Sequence, residues 1–129
     1  MRLRIILPDR LRLDTEVRRI VAEAPDGAFG MLPNHIDFVS QLVPGILVYD
    51  DAEGREHYAG IHAGTLVKVG AEVLVSTSDA VLGDDLETVR RRAGEVFRKA
   101  EESERAARSA LARLEAEMVR RFLELEQRP

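Results

Sequence analysis

From residue 85 onward the chain is written as helix. No proline interrupts it before Pro129, and Gly94 is its one glycine. Apolar or small residues recur at Leu86, Val89, Ala93, Val96, Ala100, Ser103, Ala107, Ala110, Leu114, Met118 and Leu125, a three-to-four spacing that lines up one side of a helix. The same stretch holds 11 basic and 10 acidic residues. It is too polar to build a core alone and too periodic to be disordered, so it must pack on something. Asp84 with Glu87 three residues on suits a capping box at its start. Glu101 to Ser109 is poor in large apolar groups, so a helical hairpin turning there and one continuous helix both fit.

Residues 1–84 are written differently. Leu3, Ile5 and Leu7 alternate with Arg2 and Arg4, and Leu11, Leu13 and Thr15 alternate with Arg10, Arg12 and Asp14. This is the period of a half-buried strand. The alternation breaks around Val17 to Arg19, after which Ile20, Ala22 and Ala24 fill the apolar face. Pro25-Asp26-Gly27 suits a tight turn. Ile46–Tyr49 and Glu56–Ile61 flank a hairpin connection, and Gly70-Ala71 suits a two-residue turn with glycine first. Eight to ten short strands with no helical pattern among them predict an all-β sandwich or barrel. The expected organisation is this β body, a sandwich or barrel, at 1–84 and a helical hairpin or long helix at 85–129.

Composition narrows the function. Residues 1–84 carry 8 basic and 13 acidic residues, and neither half has the excess of positive charge a nucleic-acid binder needs. There is no cysteine, hence no disulfide framework and no thiolate chemistry. No apolar run reaches the length of a membrane span, so no direct membrane insertion is expected, and the opening MRLRIILPDRLRL is too interrupted by charge for a signal peptide. His35, His57 and His62 lack metal-ligand spacing. No serine sits in a nucleophile elbow, and no glycine-rich phosphate loop occurs. The carboxylate pairs Asp50-Asp51 and Asp84-Asp85 have turn and cap explanations. No catalytic residue, metal or required cofactor is expected. Arg90-Arg91-Arg92 spreads around a helix and reads as a solvated face or a patch for an acidic partner.

One segment speaks more specifically. Phe29-Gly30-Met31-Leu32-Pro33-Asn34-His35, followed by Leu42-Val43-Pro44-Gly45, places apolar side chains among turn residues, where burial is hard. It resembles the F-G-hydrophobic-L-P-G-H…L-x-P-G segment of the epsilon subunit of F-type ATP synthases (delta in mitochondria). The A-P-D-G turn at 24–27, the strand opening at Gly64-Thr65-Leu66 and the charged helical tail fall in the order that family shows. Asn34 stands where the family has glycine, and tolerates the left-handed conformation. Ala63-Gly64-Thr65-Leu66-Val67-Lys68 replaces G-G-x-L-E-V. Val43-Pro44-Gly45, Lys68 and the arginine-rich tail look like the alternative N-type ATPases associated with sodium pumping.

The resemblance implies a non-catalytic subunit of the central stalk, peripheral on the cytoplasmic face of the bacterial inner membrane. It implies partners in the gamma subunit and the c-ring, and coupling of proton or sodium flow to ATP turnover. Ala28, Phe29, Met31 and His35 would touch the c-ring. In that family the helices switch between a compact form and an extended form that inhibits hydrolysis, reaching the alpha and beta subunits. Arg108, Arg113, Arg120 and Arg121 would contact beta. Members that bind ATP as a regulatory ligand carry [I/L]-D-x-x-R-A. Here Leu86 and Arg90 match, Glu87 is one methylene longer than the aspartate, and Arg91 replaces a small residue. Beside these implications, the residues alone also allow a ligand-binding or adaptor sandwich with a coiled-coil dimerisation tail.

Overall fold

A computed structural model describes residues 1–127. Nine strands come first: β1 (Arg2–Ile6), β2 (Leu11–Ala24), β3 (Gly27–Met31), β4 (Phe38–Leu42), β5 (Gly45–Asp51), β6 (Glu56–Ile61), β7 (Gly64–Val69), β8 (Glu72–Thr77) and β9 (Ala80–Gly83). One helix follows, α1 (Leu86–Glu126). All three turn expectations are met, the first with Ala24 paired to Gly27 across Pro25-Asp26. β5 and β6 pair antiparallel around a turn with Gly54 at φ 83°, and Gly70-Ala71 joins Val69 to its partner Glu72 with Gly70 at φ 58°.

The strands form a sandwich because β2 serves both layers. Its first part, Leu11 to Glu16, pairs with β1. Its second part pairs with β5 on one edge and β3 on the other. One layer runs β4-β7-β8-β1-β2 and the other β3-β2-β5-β6-β9. The register shifts between Val17 and Arg19. That bulge is the break seen in the alternation: inward positions change from Val17 to Ile20, Ala22 and Ala24. An extra residue flips side-chain parity and adds the bend that lets one strand change layers. Leu3, Ile5, Ile20, Met31, Leu47, Leu66, Val73 and Val75 fill the space between, each at most 2% exposed. A β1–β8 parallel pairing closes the first layer with the chain's opening strand.

Two compact units result, Met1–Glu95 and a second beginning at Val96. In the first, the start of α1 packs with the strands. Val89 and Ala93 are buried against glycines: a Cβ added at Gly83 would lie 2.7 Å from Val89 Cγ2, and one at Gly60 2.6 Å from the Cβ of Ala93. The second unit is a continuation of α1 without a turn at Glu101 to Ser109, so the single-helix alternative holds. The cap is one residue later than expected. Asp85 Oδ2 accepts from the Thr88 amide at 3.0 Å and the Thr88 hydroxyl at 2.6 Å. Asp84 is instead bound to His57 Nδ1. No helix of the described residues is long and apolar enough to cross a membrane.

Candidate functional site

The segment that carried the sequence motif forms β3, a loop over Leu32–Asp37, and β4. Pro33 and Asn34 occupy the middle of a turn closed by the His35 amide donating to the Leu32 carbonyl at 2.9 Å. Among the described residues none other than glycine has positive φ. Asn34 therefore does not use the left-handed region: proline first and asparagine second at negative φ suit a type I turn, which needs no glycine.

An aromatic cluster supports the loop from beneath. Phe29 and His35 each meet the Phe38 ring edge-on, with centroids at 5.3 and 5.4 Å. Such edge-to-face pairs fix ring positions beyond simple area burial. His35 Nδ1 lies 2.8 Å from the carbonyl of Ile36. With these side chains turned inward, Leu32 and Ile36 are left on the outside, 59% and 78% exposed.

Of the residues expected to meet the c-ring, Ala28 is exposed and Phe29 and His35 are half-buried. Met31 is a correction. It is 1% exposed and belongs to the core, because β3 alternates inward there opposite Ile20. It anchors the loop and presents no surface. Ile36 was missed, and its signal was plain: an isoleucine between His35 and Asp37 in a turn-rich stretch has no inward neighbour to pair with. In the sequence Lys68 stands out as a departure from the family pattern and as an N-type feature, with no contact to predict from either. Its ammonium is buried under this loop, donating to the carbonyls of His35 (2.6 Å) and Gly70 (2.5 Å).

The other expected positions do not gather into sites. Leu86 is half-buried in the first turn of α1, where Glu87 and Arg90 engage each other at 3.4 Å on the exposed side. In the tail, Arg108 pairs with Glu104 and Arg121 with Glu117. Arg113 and Arg120, seven residues apart, share one side of the helix; at about 100° per residue Arg108 and Arg121 fall on others. The four arginines do not form one patch.

A second polar cluster joins β5, β6 and the residue before the cap. His57 Nε2 lies 2.7 Å from Asp51 Oδ2, its Nδ1 2.5 Å from Asp84 Oδ1, and its ring stacks on Tyr49 at 5.2 Å. Hydrogen bonds first to Asp51 and then to Asp84 raise the His57 pKa above its ordinary 6.5. The same bond to His57, helped by the amides of Arg55 and Glu53, lowers Asp51 to about 2. Among the described residues no group of three or more His, Cys, Asp or Glu is arranged to hold a metal ion.

Residues 1–83 match the family model described as ATP synthase, Delta/Epsilon chain, beta-sandwich domain. The chain belongs to that family. An ATP synthase epsilon chain of Sulfurovum sp. is 33% identical over 89% of this chain and 93% of its own length. The ATP synthase epsilon chain 2 of Cereibacter sphaeroides is 36% identical over 94% of this chain and 84% of its own. Among solved structures, a chain of the Euglena gracilis mitochondrial ATP synthase (OSCP/F1/c-ring, rotational state 1) matches with a TM-score of 0.60 at 28% identity. The match covers 81% of this chain and 62% of that one, less than two thirds of its length. The central stalk/c-ring structure of the Tetrahymena thermophila enzyme shares the fold at 14% identity and a TM-score of 0.53, covering 63% of this chain and 65% of that one. As an F-type epsilon chain, the protein keeps the family's sandwich and carries a one-helix tail.

Proposed function

We propose that this chain works as the epsilon subunit in the central stalk of an F-type ATP synthase. The sandwich binds the gamma subunit and the c-ring. It couples proton or sodium translocation to ATP turnover without catalytic residues of its own, as a peripheral component on the cytoplasmic face of the bacterial inner membrane. The observation that carries this reading is the family match over the whole sandwich, together with a loop whose aromatic side chains turn inward and leave Leu32 and Ile36 outside. A small protein stabilises itself by burying such groups, so a shaped, exposed pair of aliphatics suits a partner. Ala28, Phe29 and His35 flank that pair. The c-ring named with the Euglena neighbour is the partner this surface is proposed to meet.

The tail is proposed to inhibit hydrolysis through the alpha and beta subunits, with Arg113 and Arg120 as the pair that can reach one acidic partner together and Arg108 and Arg121 as flanking contacts. The packing of Val89 and Ala93 with the strands makes Val96 the natural start of the regulatory part. Affinity purification of the tagged chain from its own host tests the reading. Recovery with alpha, beta, gamma and c subunits is expected. A chain recovered as a free homodimer would instead support the adaptor with a dimerising tail.

A further inference from the structure

Only two of the chain's 19 basic residues are lysines, Lys68 and Lys99. Lys68 is also the largest of the fully buried side chains, at 2% exposure. β7 alternates inward at Leu66 and Lys68, so the ammonium fills a place the strand pattern reserves for an apolar group. Burying a charge is costly unless acceptors surround it. Both acceptors here are backbone carbonyls, of His35 in the loop and Gly70 in the β7–β8 turn. Asp37 Oδ1 adds a third tie between the same segments by accepting from the Gly70 amide at 2.8 Å. The β4–β7 ladder ends at the pair Phe38 and Lys68. Beyond it the loop has no ladder to hold it, and these three bonds take over. A compact ammonium with three donors can serve two convergent carbonyls, whereas a planar guanidinium needs more room and a different geometry. In a chain that otherwise favours arginine, lysine is the cation that fits.

We propose that Lys68 is the positioning residue of the partner-facing loop: by holding the His35 and Gly70 carbonyls together it sets the shape in which Leu32 and Ile36 are presented. The inference rests on the reading of that loop as the surface that docks on the c-ring. Its bonds go to backbone carbonyls of the loop and of the β7–β8 turn rather than to a side chain, so losing them frees the loop's path while the core residues around Leu66 stay in place.

The test uses the full chain, wild type and Lys68→Met, which keeps length and removes the charge. Amide exchange is followed at His35, whose N–H bonds the Leu32 carbonyl, and at Gly70, whose N–H bonds Asp37. Binding to a purified gamma–c-ring subcomplex is measured well below the melting temperature. The variant is expected to exchange at these two amides about tenfold faster or more, with core strand amides unchanged, as in a local opening. Its affinity for the subcomplex is expected to fall about tenfold. Unchanged exchange overturns the proposal, and so does faster exchange with unchanged affinity. Wild type that fails to bind sinks the docking reading and this proposal with it; wild type and variant binding equally sinks the proposal alone. Should Lys68→Met fail to fold, reductive methylation of the wild type decides, with Lys99 as internal reference. Slower methylation of Lys68 in the complex than in the free chain supports the proposal, and equal rates overturn it.

Discussion

A methyl group at Gly64 would lie 1.8 Å from the carbonyl oxygen of Ser76, a backbone atom that cannot step aside without opening the β7–β8 ladder. Gly64→Ala is therefore expected to destabilise the chain by about 3 kcal/mol, the upper range for overpacking, as read by urea unfolding. Gly30, where nothing lies within 4 Å of such a methyl, supplies the contrast: Gly30→Ala should stay within about 0.5 kcal/mol of wild type. His57 sets a different kind of residue-scale expectation. Its pKa is raised above 6.5 by Asp51 and then Asp84. The stabilisation this brings is fully present below pH 6.5 and fades as pH rises through the raised folded value. Asp51, lowered to about 2, contributes above its ordinary 3.8 and loses that contribution as pH falls through about 2. The cluster is thus strongest between roughly pH 4 and 6.5. Imidazole titration by NMR should show His57 above 6.5, and Asp51→Asn should bring it down further than Asp84→Asn, since Asp51 is the larger cause. A wild-type value at or below 6.5 would show that the ring does not bridge the two carboxylates.

At the scale of elements, the start of α1 belongs to the sandwich because two glycines let it approach. Val89 fits over Gly83 and Ala93 over Gly60. Val89→Ala removes two buried methyl groups and should cost about 2 kcal/mol. Gly83→Val should cost at least as much by pushing the first turns outward, with exchange at the Thr88 and Val89 amides as the local readout. Much of this architecture was legible in the sequence. The alternation in Arg2–Ile6, the Gly54 and Gly70 turns and the broken parity at Val17 to Arg19 all mark features that local sterics decide. The aromatic cluster of Phe29, His35 and Phe38 was half visible, as an apolar segment among turn residues expected to face a partner. The illegible parts depend on tertiary company. Whether Asp84 or Asp85 caps α1 is settled by His57, 27 residues earlier, which takes Asp84 away. Whether Met31 faces in or out is settled by its pairing with Ile20 across β2. A lysine at an inward position reads as an error in the pattern until the carbonyls of His35 and Gly70 are seen around it.

At the scale of the whole molecule the question is what the second unit is for. A single helix cannot bury its own apolar side. Leu111, Leu114, Met118, Phe122 and Leu125 recur at three- and four-residue spacing and are exposed, and the stripe tapers to alanine and serine between Ala100 and Ala110. A stripe with one strong end and a thin middle gives a modest, breakable contact: about 25 cal/mol for each Å2 buried amounts to a few kcal/mol for a few aliphatic groups. That is the range in which a conformational equilibrium can be moved by a partner. Cutting the chain after Gly83 would also remove Val89 and Ala93 from the sandwich and confuse folding with regulation. Ending it after Glu95 keeps those contacts and removes only the second unit. Chain 1–95 is expected to unfold at the same urea midpoint as full-length protein and to assemble with the other ATP synthase subunits. The assembled complex should hydrolyse ATP severalfold faster than one carrying the whole chain. Alanine at both Arg113 and Arg120 should reproduce part of that rise, and alanine at Arg108 less, since its partner is Glu104 on its own helix. If the rival reading were right, the truncated chain would instead drop from dimer to monomer in sedimentation with hydrolysis unchanged. The two outcomes separate because one stripe of aliphatics is asked to pair with another subunit in the first case and with its own copy in the second.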